Sequence, residues 1–149
     1  MKIYALMENI SHDECLACEH GLSLYIEADG KKILFDTGAS EKFAENAEKM
    51  GVDLKAVDFA AISHGHYDHG GGLAKFIELN DHAPIYISDN GFNQYYAGTD
   101  FNVSIPEGLE GNERFVLTNA PIKLSENITL LNCNDREAKY YADPYGLNK

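Results

Sequence analysis

His64-Gly65-His66-Tyr67-Asp68-His69 runs straight into Gly70-Gly71-Gly72, placing four potential metal ligands in six residues at the spacing H-x-H-x-D-H. In an extended segment side chains alternate, so His64 and His66 project to one side. Asp68 and His69 follow as the backbone turns and reach a second point a few ångströms further on. Two neutral imidazoles suit one borderline metal ion, and a carboxylate with an imidazole suits another beside it. The glycines remove Cβ atoms where the chain must turn tightly and start a helix.

The flanks fit this reading. Phe59-Ala60-Ala61-Ile62-Ser63 is a short apolar run of the kind a buried strand shows, and it ends where the histidines begin. Leu73, Phe76 and Ile77 then recur at helical spacing. The motif therefore lies in a strand-to-helix loop, where a rigid scaffold aims functional groups.

Ser63-His64 to Gly72 resembles the signature loop of metallo-β-lactamase-fold hydrolases. Ile33-Leu34-Phe35-Asp36-Thr37-Gly38 is similar to the LFDTG strand end of that superfamily, and Glu19-His20-Gly21-Leu22-Ser23 and Pro84-Ile85-Tyr86-Ile87 extend the likeness. The pattern is most similar to the dihydropterin-type ribofuranosylaminobenzene phosphate synthase-like subfamily. The resemblance implies an αββα sandwich of α/β (α+β) class, in which two similar halves share a binuclear site. It also implies that the second half adds a His to the first metal, an Asp bridging both and a His to the second. The sequence ends at Lys149, near where that half would start, and offers only His82 after His69. Asp81, Asp89, Asp100, Asp135 and Asp143 include no obvious bridging candidate. The expectation is one domain over 1–149, the N-terminal half of the sandwich, with a mixed sheet and helices on one face. His82, at the start of a strand remote from the metal loop, reads as a surface histidine rather than a ligand.

Composition narrows the function. The chain has 149 residues, 44% hydrophobic and 24% charged, enough for one domain with a sizeable core. Its 24 acidic against 12 basic residues give a net charge of −12. Such a surface repels phosphate backbones and anionic membranes, which argues against nucleic-acid and membrane partners. Two divalent ions would offset about four charges locally, so a small anionic substrate is still admitted at the metals. Met1 to Met7 is too short for a signal peptide and is followed by Glu8 and Asn9, so a cytoplasmic location is expected. Cys15, Cys18 and Cys133 are too few and too oddly numbered for a secreted disulfide framework. Cys15-x-x-Cys18-x-His20 reads as plain reduced thiols, a redox pair or a zinc clip with Cys133.

Strands are expected at Lys2–Asn9, at Leu22–Glu27 with Leu22, Leu24 and Ile26 on its buried side, and at Lys31–Phe35 after an Asp29-Gly30 turn. A helix is expected over Ser40–Met50, capped by Ser40 and stopped by Gly51, and another over Gly72–Leu79. Beyond Ser88 the pattern loosens into a short helix around Phe92–Ala97 and strands at Arg114–Thr118 and Ile128–Asn132. Phe92, Tyr95, Tyr96 and Phe101 either form an aromatic rim over a flat substrate or pack the long loop onto the sheet.

Chemically, His64 and His66 would hold one ion, and Asp68 and His69 a second. Asp68 would also orient the nucleophile or pass a proton. Ions about 3.5–4 Å apart lower the pKa of a shared water enough to give hydroxide near neutral pH. Asp36, at a strand end, either fixes a ligand imidazole or caps the following turn. His20 is a candidate for the site's rim or a simple loop histidine. Zinc fits all four ligands, as one or two ions; iron and manganese also accept such a set. The function implied is a metal-dependent hydrolase of a small ester, thioester or phosphate-type substrate. A non-catalytic metal-binding or interaction fragment is the alternative. A half sandwich would expose an apolar sheet face, with Ile33, Phe35, Ile62 and Ile85 as candidates, and so a homodimer or a separate second-half chain is expected. Two H-x-H-x-D-H loops brought together by a two-fold axis would supply symmetric ligands.

Overall fold

The computed structural model describes residues 1–131 and the strand at 147–148. Strands β1 (Lys2–Met7), β2 (Ser23–Ala28) and β3 (Lys31–Phe35) form an antiparallel meander. Its hairpin turns at Asp29 and Gly30, whose φ values of 53° and 71° are the paired positive angles that match strand twist. Helix α1 (Lys42–Lys49), a 3-10 turn (Leu54–Ala56) and β4 (Phe59–Ala61) follow. Next come α2 (Tyr67–Gly70), α3 (Leu73–Leu79) and β5 (Ile85–Ser88). The short strands β6 (Tyr96–Ala97) and β7 (Phe101–Asn102) precede β8 (Phe115–Thr118), and β9 (Ile122–Lys123) pairs with β10 (Thr129–Leu130). Strand β11 (Leu147–Asn148) adds to β6. The main sheet has six strands in the order β1-β2-β3-β4-β5-β8, antiparallel in its first half and parallel from β3 onward.

Both longer helices lie on one face. Phe43 and Ala47 from α1 and Leu73 and Phe76 from α3 join one apolar cluster with Leu6, Tyr25, Leu34, Ala60, Ile85 and Ile87 of the strands. This corrects the expected exposed face. Ile62 and Ile85 are buried beneath the helices at 5% and 0% exposure. Only Ile33 and Phe35 belong to the opposite face, in the cross-strand rows Ile3-Ile26-Ile33-Phe59 and Leu24-Phe35-Ala61-Tyr86. That face is partly covered too: Leu130 and Leu131, from and just past the β9–β10 hairpin, line a pocket with Phe35 and Tyr86. The hairpin is clipped to the β2–β3 turn by Ser125 and Asn127, both hydrogen-bonded to Asp29.

Local departures have local causes. In β2 the buried side is Ser23 and Tyr25, and Leu24 and Ile26 are half-buried. Ser23 tolerates burial because its hydroxyl donates to the Asp36 carbonyl at 2.9 Å. Helix α1 starts at Lys42, whose N–H donates to the Ser40 hydroxyl at 3.3 Å, and Glu19 holds the approach to it by accepting the Ala39 and Ser40 N–H groups at 3.1 and 2.9 Å. Residues 92–97 form no helix; the segment hydrogen-bonds outward to 102–104 in its place, including through β6 and β7. The strand expected at 128–132 is shorter, and its last residue, with Cys133, Asp135 and Asp143, lies outside the described residues. Among the described residues no helix is long and apolar enough to cross a membrane.

Asn80 ties the helix layer to the sheet. Its amide nitrogen donates to the carbonyls of Leu54, Lys55 and Val57, each at 3.1 Å. Its oxygen accepts from the His82 and Ala83 N–H groups and from Arg114. Replacing it with leucine strands these buried groups without partners. Asn80→Leu is expected to lose about 3 kcal/mol or more of unfolding free energy in urea titration; a loss below about 1 kcal/mol would show the hub is dispensable.

Candidate metal centre

Because β3, β4 and β5 are parallel, their C-terminal ends share one edge of the sheet, and ligands gather outside such an edge. The chain from Asp36 to Gly38 leaves β3 there, and the motif loop leaves β4 beside it. The start of β2 returns to the same edge, carrying Gly21 and Leu22.

These three segments are sewn together through the backbone. Thr37 donates both its N–H, at 2.7 Å, and its hydroxyl, at 3.1 Å, to the His69 carbonyl. The Gly71 N–H donates to the Gly38 carbonyl at 3.0 Å, and the Leu22 N–H to the Asp68 carbonyl at 3.3 Å. Gly21 has φ +136°, and a Cβ there would lie 2.1 Å from the Asp68 carbonyl oxygen. On the other flank Gly65 and Tyr67 hydrogen-bond to Ile105 and Val103, and a Cβ on Gly65 would lie 2.3 Å from the Gly91 carbonyl oxygen.

Asp36 sits under this loop, fully buried, with a positive φ of 57° that few non-glycine residues adopt. Its carboxylate is fully engaged. Oδ1 accepts the Ser63 N–H at 2.7 Å; Oδ2 accepts the Ser63 hydroxyl at 2.8 Å and lies 2.7 Å from Nδ1 of His69. The other His69 nitrogen, Nε2, lies 3.4 Å from Oδ2 of Asp68. Nε2 of His20, an exposed side chain, approaches that same oxygen at 3.3 Å.

His64, Asp68 and His69 offer ligand atoms that all lie within 4.8 Å of one another. His66 is outside that trio. Its ring stands 4.5 Å from that of His64 and edge-on to Tyr95 at 5.2 Å. Asp36 directly contacts one of the trio, and His20 lies at their rim with Asp68. His82 is exposed and pairs with Asp81. Of the four aromatic side chains, Tyr95 meets the motif and Phe92 packs on Phe115 at 4.9 Å, while Phe101 is exposed. Cys15 and Cys18 are exposed free thiols. Ser63 and Thr37 belong to the two stretches that carry the family likeness, but nothing in the sequence assigns either a role of its own.

The electrostatics favour a cation. Burial and the neighbouring His69 and His66 push His64 down to about 4, so it is neutral at physiological pH. Burial would lower His69 as well, but hydrogen bonds to Asp36 and Asp68, with their charges, outweigh it and raise its pKa to about 9. Asp68 is held below the usual carboxylate range: burial opposes this, and the His69 bond and charge prevail. In the metal-free protein the proton on His69 thus supplies the positive charge these two carboxylates require. A divalent ion on the same donors would replace it, and this nitrogen–carboxylate set suits zinc, iron or manganese. Zinc on His69 must expel that proton below pH 9. Zinc affinity is therefore expected to rise about tenfold per pH unit between about pH 6.5 and 9 and then level off. Calorimetry near pH 7.5 in buffers of different ionisation enthalpy is expected to show about one proton released; zinc binding with no proton release would exclude His69 as a ligand.

A cleft of about 390 Å³, lined in part by Glu8, Ile10, His20 and Leu22, opens onto Asp68 and His69. A larger groove of about 540 Å³ between α1 and α3 holds none of the histidines.

A model of the metallo-beta-lactamase superfamily matches residues 16–131. The chain is 34% identical to 7,8-dihydropterin-6-methyl-4-(beta-D-ribofuranosyl)-aminobenzene-5'-phosphate synthase of Methanocaldococcus jannaschii, over 92% of this chain and 52% of the relative. It superposes on Tm1679, a metal-dependent hydrolase of the beta-lactamase superfamily, with a TM-score of 0.69 and 31% identity, over 87% of this chain and 46% of that one. A quorum-quenching N-acyl homoserine lactone lactonase shares the fold at a TM-score of 0.55 and 18% identity, over 74% of this chain and 49% of that one. The chain spans about half the length of the curated relatives it matches. The match over most of its residues, on a sheet edge built in this way, has one reading: the chain belongs to the metallo-beta-lactamase superfamily.

Proposed function

We propose that this chain carries the metal-binding layer of a hydrolase acting on a small ester, thioester or phosphate-type substrate. The observation that carries the reading is the convergence of His64, Asp68 and His69 within 4.8 Å beside a cleft. A divalent ion held by these residues, zinc above all, would acidify water enough to make it a nucleophile near neutral pH. The protein's own part is positioning. Asp36 holds His69, the Thr37 and Leu22 bonds hold the loop, and Asp68 would orient the attacking water or pass its proton. His66 is the further imidazole within reach of His64. One relative, Tm1679, supports the class as a metal-dependent hydrolase.

Purified without chelator, the protein is expected to hold zinc, iron or manganese by elemental analysis and to hydrolyse generic phosphoester, thioester or lactone substrates. His64→Ala and Asp68→Asn are each expected to lower turnover at least a hundredfold. Metal uptake without turnover would favour the non-catalytic binding reading. No uptake, with His64→Ala changing nothing, would exclude both.

We also propose that the layer works with a second one, either another copy or a separate chain. Ile3 and Leu131 are 54% and 70% exposed around the sheet face turned away from the helices. Light scattering at high concentration is expected to show a dimer; a monodisperse 16.5 kDa monomer would exclude self-association.

A further inference from the structure

Ser63 stands between Asp36 and His64, and its hydroxyl has a single proton to give. Its oxygen lies 2.8 Å from Oδ2 of Asp36 and 2.9 Å from Nδ1 of His64. Both contacts are hydrogen-bond distances, so one of the two neighbours receives the proton and the other must donate one. The carboxylate decides the direction. Asp36 is fully buried and accepts only, and a hydrogen bond to an ionised acceptor is roughly twice as strong as a neutral one. Turning the hydroxyl toward His64 would also set oxygen lone pairs against a buried carboxylate oxygen at 2.8 Å. The hydroxyl therefore donates to Asp36. Its oxygen then accepts from His64, which it can do only if that ring carries its proton on Nδ1.

We propose that Ser63 is a positioning residue, relaying the Asp36 carboxylate to His64 and fixing that ring in its Nδ1–H form. A neutral His64 then keeps its lone pair on Nε2, the nitrogen left to bind a metal. The same carboxylate oxygen takes Nδ1 of His69 directly at 2.7 Å. One buried aspartate thus orders two imidazoles, one by contact and one through a hydroxyl, and both present Nε2. The 4.2 Å separation of the two ring centroids is consistent with a pair held from one anchor. Such outer partners typically change metal affinity about 10–100-fold.

The metal consequence rests on the metal-centre reading, but the tautomer does not, so it is tested first in metal-free protein. Long-range nitrogen–proton NMR near pH 7.5 is expected to show His64 with Nδ1 protonated and Nε2 bare. In Ser63→Ala the ring is expected to shift toward the Nε2–H form, and in Ser63→Thr, which keeps the hydroxyl, to stay as in the native protein. Zinc affinity should fall about 10–100-fold in Ser63→Ala and recover in Ser63→Thr. A native His64 protonated on Nε2 would overturn the proposal, and so would a Ser63→Ala protein with unchanged tautomer and affinity. If Ser63→Ala fails to fold, the native and Ser63→Thr spectra still decide. A protein that binds no zinc yet shows the tautomer switch would refute the metal centre and support the relay.

Discussion

The buried carboxylate of Asp36 is the constraint on which the rest of this site depends. A charged group with no exposure is tolerated only when every oxygen is paired, and here a backbone N–H, a hydroxyl and an imidazole do so. Those donors come from 27 and 33 residues away in the chain. Satisfying Asp36 therefore requires the end of β3, the end of β4 and the helix α2 that carries His69 to meet. The residue's left-handed backbone is a local cost that this pairing offsets, as strained positions at functional sites usually require. Stability and function share one device: the bonds that let Asp36 be buried are also those that aim the histidines.

Much of this is legible from residue patterns, for identifiable reasons. The H-x-H-x-D-H spacing, the apolar run before it and the Asp29-Gly30 turn are short-range signals; the structure bears out the strand and the turn, and it brings His64, Asp68 and His69 of the motif together while leaving His66 outside that trio. Signals that fail are those decided by partners distant in sequence. Ile62 and Ile85 look like members of a free face, but register places them under α1 and α3. Residues 92–97 have the aromatic content of a short helix, but pairing with 102–104 and contact with the motif decide otherwise. The likeness to Glu-His-Gly-Leu-Ser marks Gly21 without explaining it; its reason is the Asp68 carbonyl, which leaves no room for a side chain.

The charge balance follows the same logic. A chain of net charge −12 holds its two site carboxylates, Asp36 and Asp68, around one imidazole whose affinity for a proton is raised to about 9. Neighbouring His64 is driven the other way, to about 4. Two adjacent imidazoles with opposite shifts mean that the pocket accepts one positive charge at this point and resists a second. In the metal-free protein the His69 proton meets that demand, and a divalent ion held by the same residues would meet it with both imidazoles neutral.

His66 is the motif histidine that stands apart from the trio, on a backbone held from both sides. Its neighbours Gly65 and Tyr67 are held by backbone bonds to Ile105 and Val103, and His66 itself bridges to Ser104. The Cα is therefore fixed, and the ring already lies 4.5 Å from that of His64. Bringing a nitrogen of His66 into the cluster means rotating about side-chain bonds and giving up the edge contact with Tyr95. An aromatic contact of that kind contributes about 0.5–1.5 kcal/mol, and tight structural zinc sites supply on the order of 10 kcal/mol. Joint ligation of an ion by His64 and His66 would outweigh a contact of that size, on a backbone that already sets the two rings side by side.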